Sequence, residues 1–200
     1  MAYIYNMNRI RAVVKERVID ALELIKMSPE PIAKETFNFI INGPIQFRTY
    51  CDLSISDYAK IRQYDIDHGN TLKLGTFLPT PLEIEKMAEL YWGWPFDQTI
   101  YVSHLIHTTK DMASTIVHEV NHMINQDIHI LYSNDEILVE TEAFLSEKML
   151  AGERITRGLI QKTMKEVEEI YQINLPTNLD RKSIVLSMDV GFHPRLMYKI

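Results

Sequence analysis

The sequence predicts an α+β fold: a mostly helical domain in which a small β-sheet precedes one amphipathic helix and a glutamate-bearing helix follows it. Three observations support this prediction. Apolar residues recur at helical spacing over most of the chain. Only short segments, chiefly 45–50 and 98–106, have the β-branched and aromatic content typical of strands. Proline- and glycine-containing turns separate these segments.

The first half of the chain is predicted to be helical with one short strand. Helical spacing indicates a helix from about Asn6 to Met27, ended by two prolines, and a second helix from Ile32 to Ile41 that stops at Asn42-Gly43-Pro44. Ile45 to Tyr50 is expected to form a strand. Residues 52–74 show no firm period, so no element is expected there.

A helix that opens at Pro81 connects the two halves. It is expected to run to about Tyr91, because proline is favoured in a first helical turn. It then breaks at Trp92-Gly93-Trp94-Pro95. This aromatic segment is expected to be hydrophobic core or, alternatively, the lining of a specificity pocket.

The second half is predicted to contain a strand followed by three helices. Gln98 to Ile106 is the strand, because threonine, isoleucine, tyrosine and valine partly alternate there. The helices are expected at about Lys110–Gln126, with Thr108 or Thr109 as its cap, then at Asn134–Ala151 and Glu153–Ile173. Ser183 to Met188 is a further short strand or buried segment.

The functional signal is the pentapeptide H-E-x-x-H, formed by His118, Glu119, Val120, Asn121 and His122. Residues four apart on a helix lie one turn above each other, so both imidazoles can reach one metal ion. Glu119 lies beside that ion without being a ligand. With a third protein ligand and an open fourth position, this arrangement is typical of catalytic zinc. The alternative is a solvated helix face that carries two histidines by coincidence.

H-E-x-x-H followed by a glutamate on a second helix resembles the gluzincins, the thermolysin-like and related zinc metallopeptidases, over about residues 108–149. The resemblance implies a zincin-like catalytic core, Zn²⁺ as cofactor, His118 and His122 as ligands, and Glu119 as general base. In these families the third ligand is a glutamate three positions before a small residue. Glu140, which precedes Ala143 by three, fits this rule and is favoured.

Glu142 is the alternative third ligand, because it lies 20 positions after His122, a spacing closer to that of thermolysin. Bulky Leu145 stands three residues after it, against the rule. Many gluzincins also place a residue that orients a ligand histidine four positions after the ligand glutamate. That position is Phe144 if Glu140 is the ligand, and Ser146 if Glu142 is.

A metzincin-like peptidase is a further alternative for the metal site. That family extends the motif to H-E-x-x-H-x-x-G-x-x-H, with a third histidine as the ligand. Here Asn125 occupies the glycine position and Ile128 the last ligand position. His129 would have to act as third ligand from one residue later.

Composition and net charge limit the kinds of partner and compartment that we expect for the protein. The net charge of −6 argues against nucleic acid or an anionic membrane as the main partner. No run of 18 apolar residues exists, so no membrane span is expected. The single cysteine, Cys51, fits a reducing compartment. Charged residues interrupt the N-terminal segment, so no signal peptide is expected and the chain is expected to be cytoplasmic where it is synthesised.

Together these features predict one zincin-like domain over residues 1–200, with a helical N-terminal part (1–95) and a catalytic core (96–200). The predicted function is hydrolysis of a peptide bond, on a specific protein or peptide substrate, by a metal-activated water with Glu119 as general base. The resemblance implies that the strand from Gln98 to Ile106 is an edge strand that pairs with substrate; the alternative is a plain core strand. Candidates for a transition-state donor are His107, Tyr132, His193 and Tyr198.

Two other function classes stay open. A non-catalytic interaction or regulatory protein could keep the zincin scaffold, in which case zinc would stabilise the fold without any hydrolysis. A zinc hydrolase of non-peptide amides would use the same motif chemistry. The sequence leaves the substrate and the oligomeric state undetermined.

Overall fold

The structure, a computed structural model, describes residues 12–67, 80–90, 92–96, 98–131 and 136–171. Within these ranges the predicted α+β class is confirmed: seven helices accompany one three-stranded sheet. The helices are α1 (Ala12–Met27), α2 (Pro31–Asn42), α3 (Ile55–Asp67), α4 (Pro81–Leu90), α5 (Thr109–Leu131), α6 (Glu136–Leu150) and α7 (Arg157–Tyr171). The strands are β1 (Gln46–Thr49), β2 (Gly93–Phe96) and β3 (Thr99–Val102).

The sheet has the order β1-β3-β2. β1 runs parallel to β3, with Phe47 opposite Ile100, whereas β2 runs antiparallel to β3, with Trp94 opposite Tyr101. β1 comes from the segment 1–95 and β3 from the segment 96–200, so the sheet draws strands from both parts of the chain. β3 is therefore the central strand of the described sheet.

The two faces of the sheet cover two hydrophobic clusters. Because side chains alternate along a strand, Ile100 and Val102 of β3 point to one face and Tyr101 to the other. The first face packs on α1, α2 and α5, and its cluster includes Val18, Leu22, Ile25, Ile32, Phe47, Ile116 and Val120. The second face packs on α3 and α4, and its cluster includes Tyr50, Tyr58, Ile61, Met87 and Ala88. The sheet therefore separates two helical layers.

Helix α5 lies on the first face and is held there by an apolar side. Its buried apolar residues recur every three or four positions, as an amphipathic helix requires, and they include Met112, Ala113, Ile116, Val117 and Val120. Thr108 caps the helix: its Oγ1 accepts a hydrogen bond from the Asp111 N–H at 3.0 Å. Of the two candidate caps, Thr108 is the one used, and Thr109 is the first helical residue. The buried apolar side directs the opposite, polar side of α5 toward α6.

Two segments of the first hundred residues received no regular element from the sequence. Residues 52–74, which show no firm period, contain α3. The helix that opens at Pro81 ends at Leu90, next to the predicted break at Trp92-Gly93-Trp94-Pro95, and strand β2 begins within that break at Gly93. Proline is tolerated in β2 because this is an edge strand, where a missing N–H costs no ladder hydrogen bond.

The strand predicted from Gln98 to Ile106 is present but shorter, spanning Thr99–Val102. It lies in the centre of the described sheet, which confirms the core-strand alternative and contradicts the edge strand for substrate. The expectations at residues 6–11 and 183–188 fall outside the described residues. No helix in the described ranges is both long enough and apolar enough to span a membrane.

Candidate metal centre

The two motif histidines point at a common position from α5. His118 and His122 lie one turn apart, and their Nε2 atoms are 3.0 Å from each other. The ring centroids are 4.8 Å apart with an angle of 60° between the planes. Both side chains are mostly buried, with 13% and 14% of their surface exposed. The helical spacing of the motif therefore brings two imidazole nitrogens together, as the sequence predicted.

Helix α6 adds Glu140 to these nitrogens. Its Oε2 lies 3.5 Å from His118 Nε2, and its Oε1 lies 3.4 Å from His122 Nε2. One ligand atom from each residue falls within 4.8 Å of the others. Ligands about 2.0–2.1 Å from a central zinc, at tetrahedral angles, are separated by about 3.3 Å. The observed separations match this geometry.

Glu142 does not join the group, although the sequence left it open as the third ligand. Its side chain is half-buried, and its backbone carbonyl accepts a hydrogen bond from Ser146 Oγ at 3.0 Å. Ala143, fully buried three residues after Glu140, leaves α6 free to approach α5. Glu140 therefore occupies the third position of the cluster.

Glu147, which the sequence analysis did not single out, contacts the His118 ring on the side away from the cluster. Oε1 of Glu147 lies 2.7 Å from His118 Nδ1, so Nδ1–H donates to the carboxylate and Nε2 faces the cluster. The position four residues after the ligand glutamate, where many gluzincins have such a partner, does not supply it here. After Glu140 it is Phe144, which meets the His118 ring edge-on at 5.1 Å, and after Glu142 it is Ser146, which donates to the Glu142 carbonyl. Glu140, Phe144 and Glu147 share helical spacing i, i+4, i+7, which was the available signal.

The surroundings of His118 favour a positive charge at this position. Burial alone would lower the pKa of His118, because it disfavours the charged ring. The contacts with Glu140 and Glu147 and the charge of Glu119 outweigh burial, and they raise that pKa well above its ordinary value. Without a metal, these contacts therefore favour the protonated form of His118.

Glu119 is buried beside the cluster, with 6% of its surface exposed. Burial is the main cause that raises its pKa to about 8; nearby His118 opposes this, whereas the charges of Glu140 and Glu147 add to it. Three carboxylates and two imidazoles thus share a small, mostly buried volume. A divalent cation would offset their repulsion, and nitrogen and carboxylate ligands are those that Zn²⁺ accepts. The residues present fit a zinc ion.

Strand β2 passes directly over Glu119. A Cβ atom placed on Gly93 would lie 2.5 Å from both Cγ and Oε1 of Glu119. Ser103 N–H donates to the Trp92 carbonyl at 2.8 Å, which fixes the alternation of the β2–β3 ladder. The N–H and C=O of Gly93 and the C=O of Pro95 therefore point away from β3, toward the outer edge of β2, where no described strand pairs.

The two tryptophans of this segment differ in their burial. Trp94 packs against the cluster between the sheet and α4, as a core residue would. Trp92 is 54% exposed at the start of β2. A specificity pocket at this segment stays a prediction.

The remaining candidate residues contribute nothing described at the centre. His107 is solvent-exposed and lines a cavity of about 280 Å³ with Arg17 and His104. The side chain of His129, the metzincin-like alternative ligand, lies outside the described residues, as do Tyr132, His193 and Tyr198. Comparison with known proteins adds no assignment: no family model, curated protein or solved structure matches the chain.

Proposed function

We propose that the protein is a zinc-dependent peptidase in which His118, His122 and Glu140 hold the ion and Glu119 is the general base. The observation that carries the proposal is the convergence of His118, His122 and Glu140 from α5 and α6. The two Nε2 atoms lie 3.0 Å apart, each lies 3.4–3.5 Å from one of the two Glu140 carboxylate oxygens, and one ligand atom from each residue falls within 4.8 Å of the others. Three protein ligands leave a fourth tetrahedral position open, which distinguishes catalytic from structural zinc.

The roles follow from the chemistry of each group. A zinc ion supplies Lewis acidity, which lowers the pKa of a water ligand to about 7 and polarises a carbonyl. With an ion bound, Glu119 would be ionised despite its burial and could accept a proton. It would take that proton from the water whose oxygen adds to the peptide carbonyl carbon, and pass it to the amide nitrogen as the C–N bond breaks, which releases an amine and a carboxylate. Glu147 keeps Nε2 of His118 directed at the ion.

A peptide is favoured over other amides by the outer edge of β2, which pairs with no strand among the described residues. An extended chain that adds to this edge would pair with the N–H and C=O of Gly93, next to Glu119, and with the C=O of Pro95. This pairing would bring a peptide group close to the general base. A small non-peptide amide would have no use for such an edge. A single specific protein substrate, rather than general digestion, remains our expectation.

The experiment compares zinc-loaded wild type with Glu119→Gln on a diverse peptide library, with zinc content measured on the same samples. We expect cleavage by the wild type, none by the variant, and one zinc per chain in both. Full activity of Glu119→Gln would reject the proposed mechanism. Bound zinc without cleavage of any peptide by the wild type would favour the non-catalytic scaffold. Broad cleavage of casein would contradict a specific substrate.

A further inference from the structure

Gly93 is a glycine that the backbone conformation of β2 does not require. In the described chain, only Gly152 has a positive φ, so other residues could adopt the conformation of Gly93. Glycine also weakens a strand, because it loses more conformational entropy on folding and packs no side chain. Close approach of another group is the usual reason for a glycine inside a strand. Glycine therefore stands at position 93 because a neighbouring group occupies the space that a side chain would need.

The space at Gly93 is occupied by Glu119. A Cβ atom would lie 2.5 Å from Glu119 Cγ, 2.5 Å from its Oε1 and 2.7 Å from its Cδ. These separations are well inside van der Waals contact. The other described glycines differ: Gly43 faces a backbone carbonyl and an isoleucine, and Gly152 and Gly158 face open space or a distant hydroxyl. Gly93 is thus the described glycine whose missing side chain makes room for a titratable group.

We propose that Gly93 is a positioning residue for Glu119: the bare Cα of β2 forms the wall that holds this carboxylate beside His118, His122 and Glu140. The atoms that a Cβ would meet belong to the end of a flexible side chain. Alanine at position 93 would therefore displace Glu119 and leave the strand in place. The three atoms nearest to the added Cβ all belong to Glu119, and none belongs to a candidate metal ligand.

Gly93 lies between Glu119, the proposed general base, and the outer edge of β2. Gly93 faces Glu119 through its Cα, while its N–H and C=O point to the open side of β2. It therefore sets the distance between Glu119 and a peptide paired with the strand. This second consequence rests on the proposed function, whereas the contact with Glu119 does not.

The test compares Gly93→Ala with Gly158→Ala, in which the new Cβ finds its nearest neighbour, Thr156 Oγ1, at 4.0 Å. Glutamate carboxyl carbons are labelled with ¹³C, and the Glu119 signal is assigned by its loss in Glu119→Gln. In the zinc-loaded protein, we expect this signal to move in Gly93→Ala and to stay in Gly158→Ala. Zinc affinity, measured by competition with a chelator, is expected to stay within about twofold in both variants. An unmoved Glu119 signal in Gly93→Ala would overturn the proposal.

Measurement of kcat and KM distinguishes failure of the positioning role of Gly93 from failure of the proposed peptidase function. Where the wild type cleaves a peptide, Gly93→Ala is expected to lower kcat by about 10²-fold, because displacement of a catalytic group by about 1 Å has that effect. KM is expected to change little, because the β2 edge is kept. Unchanged kcat would contradict the positioning role. A moved carboxyl signal in a protein without any hydrolysis would uphold the positioning and reject the peptidase.

A stability cycle covers the case in which Gly93→Ala folds poorly. Glu119→Ala removes Cγ, Cδ and Oε1, the three atoms that the new Cβ would meet. Gly93→Ala should therefore be better tolerated in the Glu119→Ala background than in the wild type, measured as the urea midpoint of each of the four proteins. Equal losses in both backgrounds would overturn the proposed contact.

Discussion

Nδ1 of His118 lies 2.7 Å from Oε1 of Glu147, across the interface of α5 and α6. The bond determines which nitrogen of His118 faces the cluster, because a ring that donates from Nδ1 leaves Nε2 for Glu140 and His122. The interface thus both packs the two helices and orients the candidate ligands.

Removal of this carboxylate should weaken zinc binding without abolishing it. We expect Glu147→Ala to lower zinc affinity by about 10–100-fold, because His118 loses the acceptor that orients its ring. The zinc affinity of Glu147→Gln should lie between those of Glu147→Ala and the wild type, because its amide oxygen still accepts the hydrogen bond but carries no charge. Chelator competition measures both affinities. Wild-type affinity in Glu147→Ala would show that the bond has no role in the site.

The two neighbouring glutamates of α6 should behave differently. Glu140→Ala removes a candidate ligand, so its loss of zinc affinity should exceed the roughly 10–100-fold expected for an outer partner. Glu142→Ala is the matched control, because it deletes the same side chain two residues along the helix and should keep one zinc per chain. Metal analysis after gel filtration measures both. Zinc loss in Glu142→Ala alone would reverse the assignment.

The metal-free protein should lose stability as pH rises. The folded-state pKa of Glu119 is about 8, above its ordinary value of 4.5, so between these values the folded chain binds more protons than the unfolded chain. The free energy of unfolding should therefore fall from pH 5 to pH 8, by on the order of a few kcal/mol. The raised pKa of His118 acts in the same direction above its ordinary 6.5.

Urea unfolding in the presence of a chelator, at both pH values, tests this dependence. Glu119→Gln is the control, because its side chain does not titrate and the slope with pH should be shallower. Saturating zinc should oppose the fall, because the ion competes with protons and binds better at higher pH. A slope that Glu119→Gln leaves unchanged would contradict the prediction.

The cap of the motif helix should contribute measurable stability. Thr108 Oγ1 accepts from the Asp111 N–H at 3.0 Å and donates to the Asp111 carboxylate at 2.6 Å. Thr108→Ala should lower the free energy of unfolding by about 0.5–2 kcal/mol, whereas Thr108→Ser should keep most of it. Urea unfolding compares the two variants. Equal stability of the alanine and serine variants would show that this hydroxyl does not cap α5.

The sequence was sufficient for features that depend on neighbours along the chain. The helix around His118 and His122 follows from apolar spacing, and their shared face follows from the four-residue interval. The α+β class and most helix positions follow from the same local patterns. Glu140 and Glu142 could not be separated with certainty, because the rotation of α6 is set by packing against α5.

Features that depend on tertiary contacts were missed. The sequence indicated the end of the helix before Gly93 but not strand β2, because glycine and proline are rare inside strands; Pro95 lies on an edge of the described sheet, where its nitrogen needs no partner. α3 was missed because its polar and apolar residues lack a firm period. Glu147 lies 29 residues from His118, and only the assembled α5–α6 interface shows that the two meet.

The most direct test of the proposed metal centre is anomalous diffraction at the zinc edge from crystals of the zinc-loaded protein. We predict one peak per chain, bonded to Nε2 of His118, Nε2 of His122 and a carboxylate oxygen of Glu140, at about 2.0–2.2 Å. A protein that binds no zinc, or a peak that lies elsewhere in the chain, would contradict the metal centre and the peptidase proposed from it.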